Sequence, residues 1–93
     1  MTRIKVTARG TVQGVGFRFA TKAEADRIGV TGWVRNVGSD RVEAEVQGDE
    51  HQVDEMREWL RHGPPSAIVE GFDVAEMDLV EGEEQFAIVT GRF

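Results

Sequence analysis

The stretch Gly10-Thr11-Val12-Gln13-Gly14-Val15-Gly16-Phe17-Arg18 constrains the fold more than any other part of the 93-residue chain. Before it, Ile4, Val6 and Ala8 alternate with Arg3, Lys5, Thr7 and Arg9, the period of two that marks a half-buried strand. After it a helical period begins. The stretch is therefore a turn between a strand and a helix, with Gly10, Gly14 and Gly16 inside it. Glycine lets the backbone take positive φ and lets other atoms approach closely. A helix that starts at such a turn offers unpaired N–H groups and the positive end of its dipole, so the end of the loop suits an anion. Arg18 stands at that end, with planar paired donors that match a phosphate. On the residues alone, the stretch reads either as a small phosphate cradle with one fixed cation or as a flexible loop that contains glycine.

The rest of the chain alternates in the same way between strand and helix patterns. The spacing predicts a helix over 17–28, with Phe17, Ala20, Thr21, Glu24 and Ile28 on one side, Ala23 and Ala25 flanking them, and Gly29 as the stop. Glu24 is a polar blemish in that stripe. A strand is expected over 31–36, a turn over 37–40, and a strand over 41–48 in which Val42, Ala44 and Val46 share a face. Asp49 can cap a second helix that runs to His62 on the stripe Val53, Met56 and Leu60. Gly63-Pro64-Pro65 ends it, because proline cannot continue the hydrogen-bond ladder. A fourth strand is expected over 68–74, an acidic irregular stretch over 76–85, and a short fifth strand at Phe86, Ile88 and Thr90.

Two helices cannot cover both faces of a small sheet, so they are expected on one face, leaving the other partly wet. The fold class is α+β: a ferredoxin-like βαββαβ sandwich with an antiparallel sheet, two helices on one face and a short extra strand. Without a repeat or a linker, 1–93 reads as a single domain.

Composition narrows the function. Cysteine is absent, which removes disulfides, a thiol nucleophile and thiolate metal sites. The net charge of −6 argues against a nucleic-acid surface, which needs a basic stripe. An anionic substrate would have to meet a local positive spot that offsets the global field. No apolar run is long enough for a signal peptide or a membrane span, so a cytoplasmic protein without a membrane partner is expected. His51 and His62 read as surface residues of the second helix, eleven positions apart and not a local metal pair. Glu81, Glu83 and Glu84 read as a solvated loop, without the ordered spacing of a calcium site. Trp33 and Trp59 read as packing residues.

The segment 10–18 resembles the G-x-V-Q-G-V-x-[FY]-R signature of the acylphosphatases. Gly32-Trp33-Val34-Arg35-Asn36 resembles their second signature: a glycine, an aromatic residue, a valine, a basic residue and an asparagine. The likeness extends from Lys5 to Ile88. It implies the same ferredoxin-like fold and hydrolysis of the carboxyl–phosphate bond of acyl phosphates. By the resemblance, Arg18 is the phosphate-binding arginine and Asn36 the asparagine that orients the attacking water. The residues are compatible with both roles. A cation in the first turn of a helix is disfavoured by the dipole, which a bound anion would relieve. Asn36 stands at a strand end and offers a donor and an acceptor together, although asparagine there more commonly forms a turn.

Gln13, Gly14, Val15, Gly16, Phe17 and Arg18 are expected around the substrate, chiefly through the N–H groups of Val15, Gly16 and Phe17. The side chains of Gln13 and Thr11 could touch substrate, but hydrogen bonds within the loop are the more common use for them. Two positions depart from the family pattern. Many relatives carry a basic residue where Thr11 stands, and the family usually has glycine where Asp40 stands. An aspartate forced into left-handed geometry would strain that turn.

Neither motif contains a Cys, a Ser–His pair, a carboxylate dyad or a Walker sequence, so neither a covalent intermediate nor a nucleotide P-loop is indicated. Positioning and electrostatics remain, and they are most of what phosphoryl transfer needs. The expectation is an acylphosphatase that uses neither metal nor cofactor, acts as a monomer on a small acyl phosphate, and attacks phosphorus with an oriented water. The alternative is a non-catalytic ferredoxin-like binding or sensing module, since fold does not fix function.

Overall fold

The computed structural model describes residues 1–90. Strand β1 spans Thr2–Thr11, helix α1 Phe17–Ile28, strand β2 Thr31–Val37, strand β3 Arg41–Gly48 and helix α2 Glu50–His62. Strands β4 and β5 span Ile68–Glu76 and Phe86–Ile88. The sheet order is β4-β1-β3-β2-β5. β3 is antiparallel to both β1 and β2, and β4 is antiparallel to β1. β1 and β2 therefore run parallel with β3 between them, which is the split βαβ arrangement. The order and the helix bounds match the sequence reading, while β2 and β4 run slightly further than expected.

One edge differs from an all-antiparallel sheet. β5 pairs parallel with β2, through Gly32–Phe86 to Val34–Ile88. The chain leaves β4 at one edge and crosses the open face through 77–85. It returns at the opposite edge in the reverse direction, which delivers β5 parallel to β2. Thr90 lies beyond that strand.

Alternation decides which residues form the core. Ile4, Val6 and Ala8 of β1 register with Val46, Ala44 and Val42 of β3, and all six are buried against the helices. α1 contributes Phe17, Thr21 and Ala25, and α2 contributes Val53, Met56 and Leu60. Glu24 is not in the core: it pairs with Arg27, which also reaches Glu55 on α2. α2 begins with a reciprocal cap, Asp49 accepting from the Gln52 N–H and Gln52 from the Asp49 N–H. Trp59 packs edge-on against Phe17, with centroids 6.0 Å apart. Trp33 lies beneath the Arg35 guanidinium on the open face.

Two expectations about the open face need correction. Arg3 alternates with core residues and so belongs to the wet side, yet it is only 2% exposed. Its guanidinium donates to Glu45 at 2.7 Å, to Gln47 at 3.1 Å and to Glu83 at 2.8 Å. Glu83 therefore does not sit in a solvated loop. It clamps the crossing segment onto the sheet, and Gln47 ties the same segment by exchanging hydrogen bonds with the Val80 backbone. A buried guanidinium needs such partners, because an unpaired one carries a large desolvation cost.

The hairpin turn also differs. Asp40 is not strained, since positive φ among the described residues occurs only at glycines. Gly38 takes that role, with φ 61.

Candidate active site

The loop between β1 and α1 closes a small hollow against the end of β2. Val12, Gln13, Gly14 and Gly16 line it from the loop, and Asn36 lines it from β2. Phe17, Arg18 and Phe19 line it from the first turn of α1. Its volume is about 130 Å³, well below the roughly 300 Å³ at which pockets for drug-sized ligands begin. It can enclose a phosphoryl group but not the rest of an acyl phosphate.

The loop's shape follows from its glycines. Gly14 and Gly16 have φ 75 and 77, in the left-handed region that other residues rarely adopt. A Cβ at either would meet nothing within 4 Å. The requirement there is conformational, and the space above the backbone stays open to a ligand. Gly16 is also the N-cap of α1, so the helix has no side-chain cap, and its first turn carries no acid. No backbone bond takes up the N–H groups of Gly14, Val15 and Gly16 among the described residues. Helix geometry leaves those of Phe17, Arg18 and Phe19 without carbonyl partners.

Three contacts hold the loop in place. The Phe17 side chain is buried in the core, so only its backbone can face the hollow. Gln13 Nε2 donates to the carbonyls of Val37, Gly38 and Arg41, at 3.3, 3.1 and 2.9 Å. Gln13 thus bonds to the β2–β3 hairpin, not within its own loop, and its amide hydrogens are spent there. Ser66, in the connection from α2 to β4, donates to the Val15 carbonyl at 3.0 Å. The C=O and the following N–H of a trans peptide point in opposite directions. Drawing the Val15 carbonyl outward to Ser66 therefore turns the Gly16 N–H the other way. Val15 itself does not line the hollow and packs instead against the core. Thr11 is the exposed last residue of β1, outside the hollow.

Arg18 is electrostatically singular. With Arg92 outside the described residues, ten Lys and Arg side chains remain, and nine of them pair with a carboxylate. Arg18 alone has no carboxylate partner among the described residues. In a chain with 17 acidic residues this is a poor arrangement for stability. It is a good one for an anion that arrives from outside.

Asn36 carries the second anomaly. Its Oδ1 is buried and has no hydrogen-bond partner among the described residues. An orphaned buried acceptor costs about 1–3 kcal/mol. Asn36 lines the hollow, so a water held there could satisfy it.

Three larger hollows lie elsewhere among the described residues: about 420 Å³ between α2 and strands β1 and β4, about 690 Å³ on the outer face of α2, and about 390 Å³ between α1, the start of β2 and β5. Glu50, Asp54 and Glu76 line the first, Glu24, Asp54, Glu55 and Glu58 the second, and Asp26 and Glu84 the third, against Arg57 in the first two and Lys22 in the third. Carboxylates outnumber the Lys and Arg cations in each and repel a phosphate, so none competes for the anion. No group of three or more His, Cys, Asp or Glu among the described residues is placed to hold a metal ion. No helix among them is long and apolar enough to cross a membrane.

The structure thus brings Gln13, Gly14, Gly16, Phe17, Arg18 and Asn36 to one hollow and leaves Val15 behind it. Sequence reasoning missed Ser66 and Phe19. Ser66 comes from 51 residues beyond Val15, without a local pattern to mark it. Phe19 did leave a signal, an aromatic residue off the apolar stripe of its own helix.

Comparison with known proteins agrees with this geometry. The acylphosphatase family model matches residues 4–88. The acylphosphatase of Methylococcus capsulatus is 43% identical over 96% of this chain and 97% of its own. That of Acaryochloris marina is 47% identical over 84% of each. The crystal structure of acylphosphatase from Bacillus subtilis superposes with a TM-score of 0.90 at 36% identity, covering 97% of this chain and all of that one.

Proposed function

The chain belongs to the acylphosphatase family and hydrolyses the carboxyl–phosphate bond of acyl phosphates, and we propose that Arg18, the loop N–H groups and Asn36 carry the reaction without a metal or a covalent intermediate. The observation that carries this reading is Arg18, which lacks a carboxylate partner among the described residues and faces a phosphoryl-sized hollow at an uncapped helix start.

The phosphoryl group docks with its oxygens on Arg18 and on the N–H groups of Gly16, Phe17 and the first turn of α1. These donors are fixed before substrate arrives, so they stabilise developing charge without reorganisation. Asn36 Oδ1 accepts one hydrogen of a water and leaves a lone pair aimed at phosphorus. The water oxygen bonds to phosphorus as the bond from phosphorus to the carboxyl oxygen breaks. The electron pair leaves with the carboxylate, and the water's second proton passes to solvent or to the phosphate formed. A carboxylate leaves readily, so no general acid is required. Gln13 and Ser66 brace the cradle from the hairpin and from the α2–β4 connection. The reading includes a monomer acting in the cytoplasm on a small acyl phosphate.

The test is single-turnover hydrolysis in ¹⁸O-water with excess chelator, of an acyl phosphate for the position of the label and of the acyl thiophosphate carrying ¹⁶O and ¹⁷O, chiral at phosphorus, for the stereochemistry. The reading predicts label in the phosphate, none in the carboxylate, and inversion at phosphorus. Label in the carboxylate means attack at carbon, retention means a phosphoenzyme, and loss of activity to the chelator means a metal. Any of these overturns it.

A further inference from the structure

Phe19 is 70% exposed at the mouth of the hollow and lines it together with Arg18. Single exposed apolar residues are ordinary on protein surfaces, and Met77, Leu79 and Val80 are examples here. Phe19 differs by its position. The hollow encloses only a phosphoryl group, so the acyl part of any substrate must emerge over the rim. Gly14 and Gly16 on the loop present no side chain there, and Arg18 is occupied by phosphate. A flat apolar ring is then, among the described residues, the only large surface the rim offers to the emerging group.

We propose that Phe19 is a substrate-binding and specificity-determining residue that receives the acyl group, and that the chain prefers acyl phosphates with an aromatic or extended apolar acyl group over those with a short one. The proposal rests on the hydrolytic reading above and adds the substrate class to it. The ring supplies apolar area and offset or edge contacts to an aromatic acyl group. An acetyl group is too small to cover it. The carbonyl carbon stays outside the cradle in either case, so the phosphoryl end binds alike in both substrates. The preference therefore resides mainly in KM, with kcat set by the cradle and Asn36.

The experiment compares benzoyl phosphate with acetyl phosphate, using the unmodified chain, Phe19→Ala and Phe19→Trp. The unmodified chain should favour benzoyl phosphate in kcat/KM. Phe19→Ala should reduce that preference about tenfold, chiefly through KM for benzoyl phosphate, and Phe19→Trp should retain it. The inhibition constant of inorganic phosphate should stay within about twofold throughout, because phosphate does not reach the ring. An unchanged preference in Phe19→Ala overturns the acyl-group role and leaves the hydrolytic reading intact. So does a phosphate constant that rises in parallel, since it would mean a disturbed cradle. Failure of the unmodified chain to hydrolyse either substrate overturns the hydrolytic reading and this inference with it.

Discussion

Replacing Asn36 with alanine should leave stability nearly unchanged while turnover falls. Asn36 Oδ1 has no hydrogen-bond partner in the protein among the described residues. Truncation therefore costs the oxygen no protein bond and sacrifices only a little packing, about 0.8 kcal/mol for one methylene equivalent. For a domain of this size each kcal/mol moves Tm by roughly 4–8 °C, so Tm should fall by no more than about 6 °C. Turnover should behave otherwise. Loss of one preorganised group that acts on the attacking water costs on the order of 2.7 kcal/mol, about a hundredfold in kcat. The inhibition constant of phosphate should barely change, because the water and not the phosphoryl group is lost. Scanning calorimetry and steady-state kinetics on the same preparation decide the matter. A clear fall in Tm with kcat preserved would show that Asn36 supports the hairpin and does not position water.

Three further outcomes follow from the surrounding structure. Ser66→Ala should raise KM and the phosphate inhibition constant about threefold, roughly 0.6 kcal/mol for one exposed hydrogen bond. Ser66→Thr should restore both, and no change in either would remove Ser66 from the cradle. Glu83→Gln should cost about 2 kcal/mol by weakening the charged bonds of buried Arg3, lowering Tm by roughly 10 °C. The exposed neighbour substitution Glu84→Gln should not, and equal shifts for the two would contradict the clamp.

The third outcome concerns acid. Burial pushes the Glu43 carboxyl up, but hydrogen bonding to Arg35 and the charges of Lys5 and Arg35 outweigh it and hold it below its ordinary value. A depressed carboxyl stabilises the fold fully above its unfolded value, and that contribution disappears as pH falls through the native one. Urea unfolding at about pH 6 and about pH 3 should therefore show a smaller acid loss for Glu43→Gln than for the unmodified chain. An equal loss would contradict it.

What could be read from the sequence was local. The alternation in β1, the stripes of both helices and the glycine spacing of the loop each occupy a few consecutive turns, and each gave the right element. Arg18 and Asn36 were singled out by the two signatures, and a helix start and a strand end bring both to one hollow. What escaped was long-range. Arg3 alternates as a wet-face residue, and nothing near it in the chain announces partners 42 and 80 residues away. Glu83 reads as solvated for the same reason. The parallel pairing of β5 follows from where 77–85 crosses the sheet, which periodicity does not encode. The Gln13 amide finds the carbonyls of a different hairpin, and Ser66 reaches Val15 across the whole second helix. Asp40 looked strained because the turn's left-handed position was placed at it, and Gly38 fills that position instead.

The account turns on Arg18 as the cation that holds the phosphoryl group. The direct measurement is competitive inhibition by inorganic phosphate at fixed ionic strength, for the unmodified chain, Arg18→Gln and Arg18→Lys. The account predicts a rise of at least about tenfold in the inhibition constant for Arg18→Gln. It predicts little recovery with lysine, because a point charge does not reproduce the guanidinium fork. An Arg18→Gln protein that binds phosphate within about twofold of the unmodified chain would contradict it.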